Sequence, residues 1–263
     1  MRVNGSTVLL TGATGGLGTA LAGALAAKGA SLVLTGRRED ALKAVADRFG
    51  ARAVVADLAD PSDVERLAQE CADVDVLVAN AALPSSGDVL EYTPDQVERA
   101  LAVNLHAPVL LARLLAPRML KAGRGHIAFV GSISGKAASK SSSLYNATKF
   151  GLRGFALAFR QDLRGTGVGV SLVQPGFVRE AGMFAATGAR PPAGMRTVSP
   201  AQVSAGVIRA VERNLCEVNV APGELKLLSA IAGQFPGFAE KVQGRMGVER
   251  TMAVMVSAQR DTR

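Results

Sequence analysis

The chain has 263 residues, 48% of them hydrophobic, with 30 Lys and Arg against 22 Asp and Glu for a formal net charge of +8. That length and apolar share suffice for one large α/β unit with a well-buried sheet, and no second domain is required. Two cysteines exclude a disulfide framework, two histidines exclude a His-based metal cluster, and scattered basic residues with two tyrosines and no tryptophan argue against nucleic-acid binding.

Short Val/Leu/Ala-rich runs alternate with longer helical patterns, which predicts a parallel sheet with helices on both faces. Strands are predicted near 7–11, 31–35, 51–56, 75–79, 126–131, 168–174 and 217–220, with helices over most of the remainder. The first strand, Thr7 to Thr11, runs straight into Gly12-Ala13-Thr14-Gly15-Gly16-Leu17-Gly18, and Thr19 to Lys28 has helical composition. Free amides at such a helix start, set in a glycine turn, attract phosphate. The third to sixth strands are followed by Asp57-Leu58, Asn80-Ala81-Ala82, Ser132 and Pro175-Gly176. Cys71 and Cys216 read as small core residues.

Asn104 interrupts an apolar helical pattern, where a buried amide needs partners. It reads either as a functional group or as a helix-bending core asparagine. Ser132 ends the strand that starts at His126, at the edge where parallel sheets present functional groups. Ser134 and Ser141-Ser142-Ser143 are its rivals, better read as caps and turns. Tyr145 and Lys149 are four residues apart, so a helix puts them on one face. An ammonium beside a phenol favours the phenolate and draws a pKa of about 10 toward neutrality, which makes Tyr145 a candidate general acid/base. The same spacing also arises on solvated helix faces.

Taken together, Thr-Gly-x-x-x-Gly-x-Gly at Thr11–Gly18 and Tyr-x-x-x-Lys at Tyr145–Lys149 resemble the short-chain dehydrogenases/reductases over roughly residues 3 to 220. The resemblance implies a single Rossmann-type domain over 1–263, a doubly wound parallel sheet of about seven strands. It also implies hydride transfer between a nicotinamide dinucleotide and a carbonyl or alcohol carbon. Gly12, Thr14, Gly16, Leu17, Gly18, Asp57, Leu58, Asn80, Ala81, Tyr145, Lys149, Pro175, Gly176 and Val178 would contact the cofactor. Ser132 would hold the substrate oxygen, Tyr145 would move the proton, Lys149 would lower the tyrosine pKa and bind the ribose, and Asn104 would hold a relay water. Relatives of this shape form homodimers or homotetramers, a use that fits the long helix around Pro94 to Leu120.

The second strand ends in Thr35-Gly36-Arg37-Arg38. An acid at the Gly36 position would hold the ribose 2'-hydroxyl of NAD, whereas glycine followed by cations suits a 2'-phosphate. NADP is therefore expected over NAD, although Gly15 lacks the basic side chain that some NADP-dependent relatives carry.

Past Val178 the pattern departs from the family, because Arg179-Glu180-Ala181-Gly182 replaces the threonine that binds the carboxamide in many relatives. That contact is expected from backbone, with Val178 the candidate, or from another side chain. Residues 179–199, rich in Gly, Pro, Ala and Met, read as a substrate lid, with Met183, Phe184 and Met195 as apolar walls for a ketone, aldehyde or secondary alcohol.

Residues 222–263 form an extension with two apolar groups, Leu225, Leu227, Leu228, Ile231 and Phe235, then Met246, Val248, Met252, Val254, Met255 and Val256. It is expected to cover the pocket or an interface. Lys241, Arg245, Arg250, Arg260 and Arg263 leave weak peripheral membrane contact as a lesser reading. Two alternatives to an enzyme stay open: a non-catalytic dinucleotide sensor or scaffold, and a peripheral membrane protein acting through this extension. Apolar stretches broken by charge or glycine predict no membrane span, and the absence of a signal-like opening makes the cytoplasm the expected compartment.

Overall fold

The computed structural model describes residues 1–192, 194–237, 240–241 and 248–260, the last without the side chains of residues 248–250. Met246, Arg245 and Arg263, and the side chains of Val248 and Arg250, lie outside the described residues.

Seven strands form one parallel sheet: β1 (Thr7–Thr11), β2 (Ser31–Gly36), β3 (Arg52–Val55), β4 (Val76–Ala79), β5 (Gly125–Val130), β6 (Val168–Pro175) and β7 (Glu217–Val220). Their order across the sheet is β3-β2-β1-β4-β5-β6-β7. The order reverses between β1 and β4, and a crevice opens there beyond the C-terminal strand ends, the place where such sheets bind ligands.

Strand alternation sends Val8 and Leu10 to one face, where they pack with Leu21, Leu25, Leu42, Val207 and Val211 from α1 (Gly16–Ala27), α2 (Glu39–Phe49) and α8 (Pro200–Glu212). Leu9 points to the other face with Leu67, Leu111, Leu115 and Leu152 from α3 (Pro61–Glu70), α5 (Ala107–Lys121) and α6 (Ser143–Asp162). Helix starts carry their own signals. Asp60 caps α3 ahead of Pro61, and capping boxes at Thr93/Gln96 and Ser199/Gln202 open α4 (Pro94–Leu101) and α8. The short α7 (Met183–Ala186), then α9 (Gly223–Gln234) and α10 (Val248–Gln259) complete the described helices.

From Pro94 to Lys121 the chain is one 28-residue helix, apolar enough by length and composition to cross a membrane, contrary to the sequence expectation. Half of its apolar stretch is buried inside the fold, where it packs on α3 and β5. A core helix passes the same composition test as a spanning one. The two cysteines also part ways: Cys71 is fully buried, which pushes its thiol up to about 11, whereas Cys216 is exposed rather than in the core.

Candidate active site

The glycine turn follows from close approach. Gly12 has φ +68°, and a Cβ there would lie 2.8 Å from Ala81 Cα. A Cβ on Gly18 would meet Gly12 O at 2.0 Å, and one on Gly16 would come within 3.0 Å of Gly182 N. Helix α1 therefore begins against bare backbone, with no side-chain cap and no acid in its first turn, and its first amides are available to an anion. Thr11 ties this turn to the neighbouring strand: its Oγ1 accepts from the Asn80 and Ala81 N–H groups, both at 3.0 Å. Asn80 Nδ2 donates to Thr11 O at 3.0 Å, so its side chain binds the two strand ends together.

Thr14, Gly36, Arg37, Arg38, Asp57, Leu58 and Arg99 line the same cavity, of about 1010 Å³. Asp57 accepts from the Ala59 N–H at 3.0 Å and from Arg99 Nη2 at 2.9 Å. Burial alone would raise its pKa, but the Ala59 N–H and Arg99, helped by the field of Arg37, hold the carboxyl below its usual range. No motif marks Arg99, which sits in an amphipathic helix and meets its partner only in the fold.

Beyond the glycine turn, Ser132 follows β5 and its Oγ accepts from the Ser134 N–H at 3.1 Å. The Ser132 hydroxyl is also a hydrogen-bond partner of the Tyr145 phenol. Lys149 is 3% exposed, with Nζ 5.7 Å from the Tyr145 ring centroid and 3.4 Å from Val130 O. Burial pushes the Lys149 ammonium down to about 8. Burial also raises the Tyr145 pKa, partly offset by the Ser132 hydrogen bond. The lowering expected from Lys149 is thus absent in the protein alone, because the desolvation of a phenolate outweighs a cation held over the ring face. The rival serines play supporting parts: Ser142 stands at the start of α6, and Ser141 takes φ +57° in the loop before it.

Asn104 lies in a π-helical turn, Ala102–His106, that joins α4 to α5. Its Oδ1 accepts from the Leu83 N–H at 2.6 Å, and its Nδ2 donates to Leu83 O at 3.0 Å and Ser85 Oγ at 3.2 Å. The side chain positions the 83–85 loop on the cavity wall, an arrangement that matches the helix-bending reading.

A polar brace lies behind the site. Glu217 accepts from Lys136 Nζ at 2.7 Å, from Arg153 Nε at 2.8 Å and from Gln174 Nε2. Burial pushes the carboxyl up, but Arg153 and Lys136 outweigh it and hold it below its usual range. Lys136 directly follows the 3₁₀ turn Ile133–Gly135 that Ser132 opens, and Arg153 is one helical turn past Lys149. A Cβ on Gly135 would lie 2.7 Å from Lys149 O, so turn and helix are in close contact.

Pro175, Gly176, Val178, Met183, Phe184 and Met195 also line the cavity. Val198 bonds Phe177 O and the Arg179 N–H, both at 2.9 Å, so Val178 turns its own N–H and C=O away from Val198. Phe177 and Phe184 pack with ring centroids 4.8 Å apart. The C-terminal apolar groups split: Leu225, Leu228 and Ile231 of α9 and Met252 and Met255 of α10 line the cavity, whereas Leu227 and Phe235 are each 64% exposed and Val254 is exposed too.

The short chain dehydrogenase family model matches residues 6–191. A ketoacyl reductase of Nostoc sp., HetN, is 32% identical over 260 residues, which cover 94% of this chain and 91% of that protein. The 3-oxoacyl-[acyl-carrier-protein] reductase FabG of Escherichia coli is 30% identical over 184 residues, 68% of this chain and 75% of that one. A short-chain dehydrogenase from Sphingobium yanoikuyae, solved in complex with NADPH, superposes with a TM-score of 0.77 at 28% identity, covering 89% of this chain and 95% of that one. The glycine turn, the Ser132–Tyr145–Lys149 group and these matches together assign the chain to the short-chain dehydrogenase/reductase family, as an oxidoreductase with a nicotinamide dinucleotide-binding Rossmann fold.

Proposed function

We propose that the protein is an NADP-preferring oxidoreductase acting on an apolar ketone, aldehyde or secondary alcohol, with Tyr145 as its general acid/base. The observation that carries this is the hydrogen-bonded Ser132–Tyr145 pair beside buried Lys149, in the cavity that also contains the glycine turn. The backbone cradle at Gly12, Gly16 and Gly18 fits a pyrophosphate, since each glycine stands where a side chain would collide with main chain. Gly36, packed on Thr14, and Arg37 with Arg38 beside it suit a 2'-phosphate. The NADPH complex of the Sphingobium relative supports the same preference. Backbone groups of Val178 would take the carboxamide. When bound, the nicotinamide supplies or accepts the hydride.

Within the chain, the Ser132 hydroxyl holds the substrate oxygen and Tyr145 gives it a proton as charge builds there. Burial keeps the proton on Tyr145 in the cofactor-free protein, and carbonyl reduction is the direction that uses that proton. The ketoacyl reductase names of two relatives support that direction. Residues 179–199 serve as the lid, with a Cβ on Gly16 lying 3.1 Å from Ala181 Cβ, and α9 and α10 roof the substrate end. The α4–α5 helix pairs copies of the chain in a homodimer or homotetramer; half-exposed Leu101 and Leu120 support this, and sedimentation velocity showing only monomer would refute it.

Tyr145→Phe tests the reading. We expect kcat with NADPH to fall about 10³-fold while NADPH affinity stays within about twofold. Retained turnover in that variant would remove Tyr145 from the reaction.

A further inference from the structure

Three arginines line the cavity, Arg37 and Arg38 from the turn between β2 and α2 and Arg99 from α4, at the end that also holds Asp57. The far end is made by α7, α9 and α10. Among its described lining residues are Met183, Phe184, Leu228, Ile231, Met252 and Met255, and no Asp, Glu, Lys or Arg of these three helices is among them. Its polar hydroxyls are already used locally: Ser229 Oγ donates to Lys226 O at 3.0 Å, and Thr187 Oγ1 donates to Phe184 O at 2.7 Å.

The wall is also long. Leu225, Leu228 and Ala232 follow one stripe of α9, and Met252 and Met255 follow one stripe of α10 that ends at the Gln259 amide. Seven residues of helix rise about 10 Å, roughly the length of an extended eight-carbon chain. Helix α10 is tethered at both ends. Its Thr251 Oγ1 donates to Arg190 O at 3.0 Å in the 179–199 segment, and Arg260 Nη2, just past its end, donates to Glu91 Oε2 at 3.0 Å.

From these observations we infer that the substrate carries its carbonyl on an extended, uncharged aliphatic chain, and that the chain lies along the α9 and α10 stripes. The inference rests on the oxidoreductase reading of the same site. A tail ending in a carboxylate or phosphate would lose its hydration against this wall and gain no cation from the described residues of α7, α9 and α10. A polyhydroxylated substrate would lose hydrogen bonds to water in the same way. Methionines at two of the stripe positions let the wall follow chains of different length.

The test is a series of linear 2-alkanones, from five to fourteen carbons, reduced with NADPH by the full chain, beside oxo acids of equal length that end in a carboxylate. We expect kcat/KM to rise about three- to fourfold per added methylene until the tail is roughly eight carbons long, then to level off. The oxo acids should be at least about 100-fold poorer, following the cost of desolvating an unpaired charge. Met255→Lys supplies the missing cation and should raise the ratio of carboxylate-tailed to methyl-tailed turnover at least about tenfold. Turnover that is independent of chain length, or a preference for the charged tail in the unmodified protein, overturns the inference while leaving the oxidoreductase reading intact. No turnover with any member of either series removes both. The unmodified chain alone decides the length dependence if the lysine variant fails to fold.

Discussion

At the β1–β4 end of the cavity the wall is main chain: Gly12, Gly16 and Gly18 bring backbone to where any side chain would collide, and Thr11 Oγ1 locks two strand ends together through their amides. At the α9–α10 end the wall is side chain, a set of Leu, Ile and Met stripes on helices whose opposite faces are open to solvent at Leu227 and Val254. Backbone geometry tolerates few sequences, because one added methyl group at Gly18 lands on a carbonyl. An apolar stripe tolerates many, because Leu, Ile and Met exchange at small cost. One end of the molecule therefore announces its ligand in a motif, and the other states only that its ligand is greasy.

Three changes would break or sharpen this contrast. The largest effect is expected from Arg37→Ala, which should lower the NADPH-over-NADH ratio of kcat/KM by about 10- to 100-fold, as loss of a charge-assisted phosphate contact predicts. An unchanged ratio would mean that the cofactor end selects by backbone alone. Next is Glu217→Ala, which releases Lys136 and Arg153 and so loosens the turn of Ser132 against the helix of Tyr145. We expect kcat to fall about tenfold with the NADPH KM within about twofold, a cost in the range known for sub-ångström misplacement. A parallel rise in KM would instead make Glu217 a general stabiliser of the fold.

The smallest expected effect is a gain. Burial holds Lys149 at about 8 in the folded protein, whereas the unfolded chain keeps the ordinary lysine value, so the unfolded state binds the extra proton between those two pH values. The penalty is complete below about pH 8 and fades as pH rises toward the unfolded value of about 10.4. Lys149→Met should therefore stabilise the cofactor-free protein at pH 7 by on the order of 2 kcal/mol, with the advantage shrinking in alkali. Thermal melts at pH 7 and pH 10 read both signs, and a destabilised variant at pH 7 would show that Lys149 is held by more than the Val130 carbonyl.

The same contrast explains what the sequence could tell. The seven strands were legible within a residue or so, since each is a short apolar run stopped by glycine or a turn, and so were the glycine turn, Ser132 and the Tyr145–Lys149 pair. Arg99 and Glu217 were not. Their partners lie 42, 64 and 81 residues away along the chain, and no local pattern encodes such a meeting. The direction of the Tyr145 pKa was missed for a related reason: spacing reveals a neighbouring charge, but burial appears only once the sheet, lid and helices close around it. Asn104 was visible as an anomaly, yet its partners at Leu83 and Ser85 were not.

That anomaly has a consequence for the longest helix. The Ala107 N–H reaches back five residues to Ala102 O, so the rod holds one residue more than regular α geometry needs. An extra residue shifts angular phase by about 100°, which means that α4 and α5 are two helices offset in rotation along one axis. Deleting a single residue between Ala102 and His106 would bring them into phase and complete the ladder, but it would swing either the Arg99 face away from Asp57 or the Asn104 amide away from Leu83. The irregular turn acts as a phase shifter that lets one continuous helix address the Asp57 end of the cavity with one segment and the core with the next.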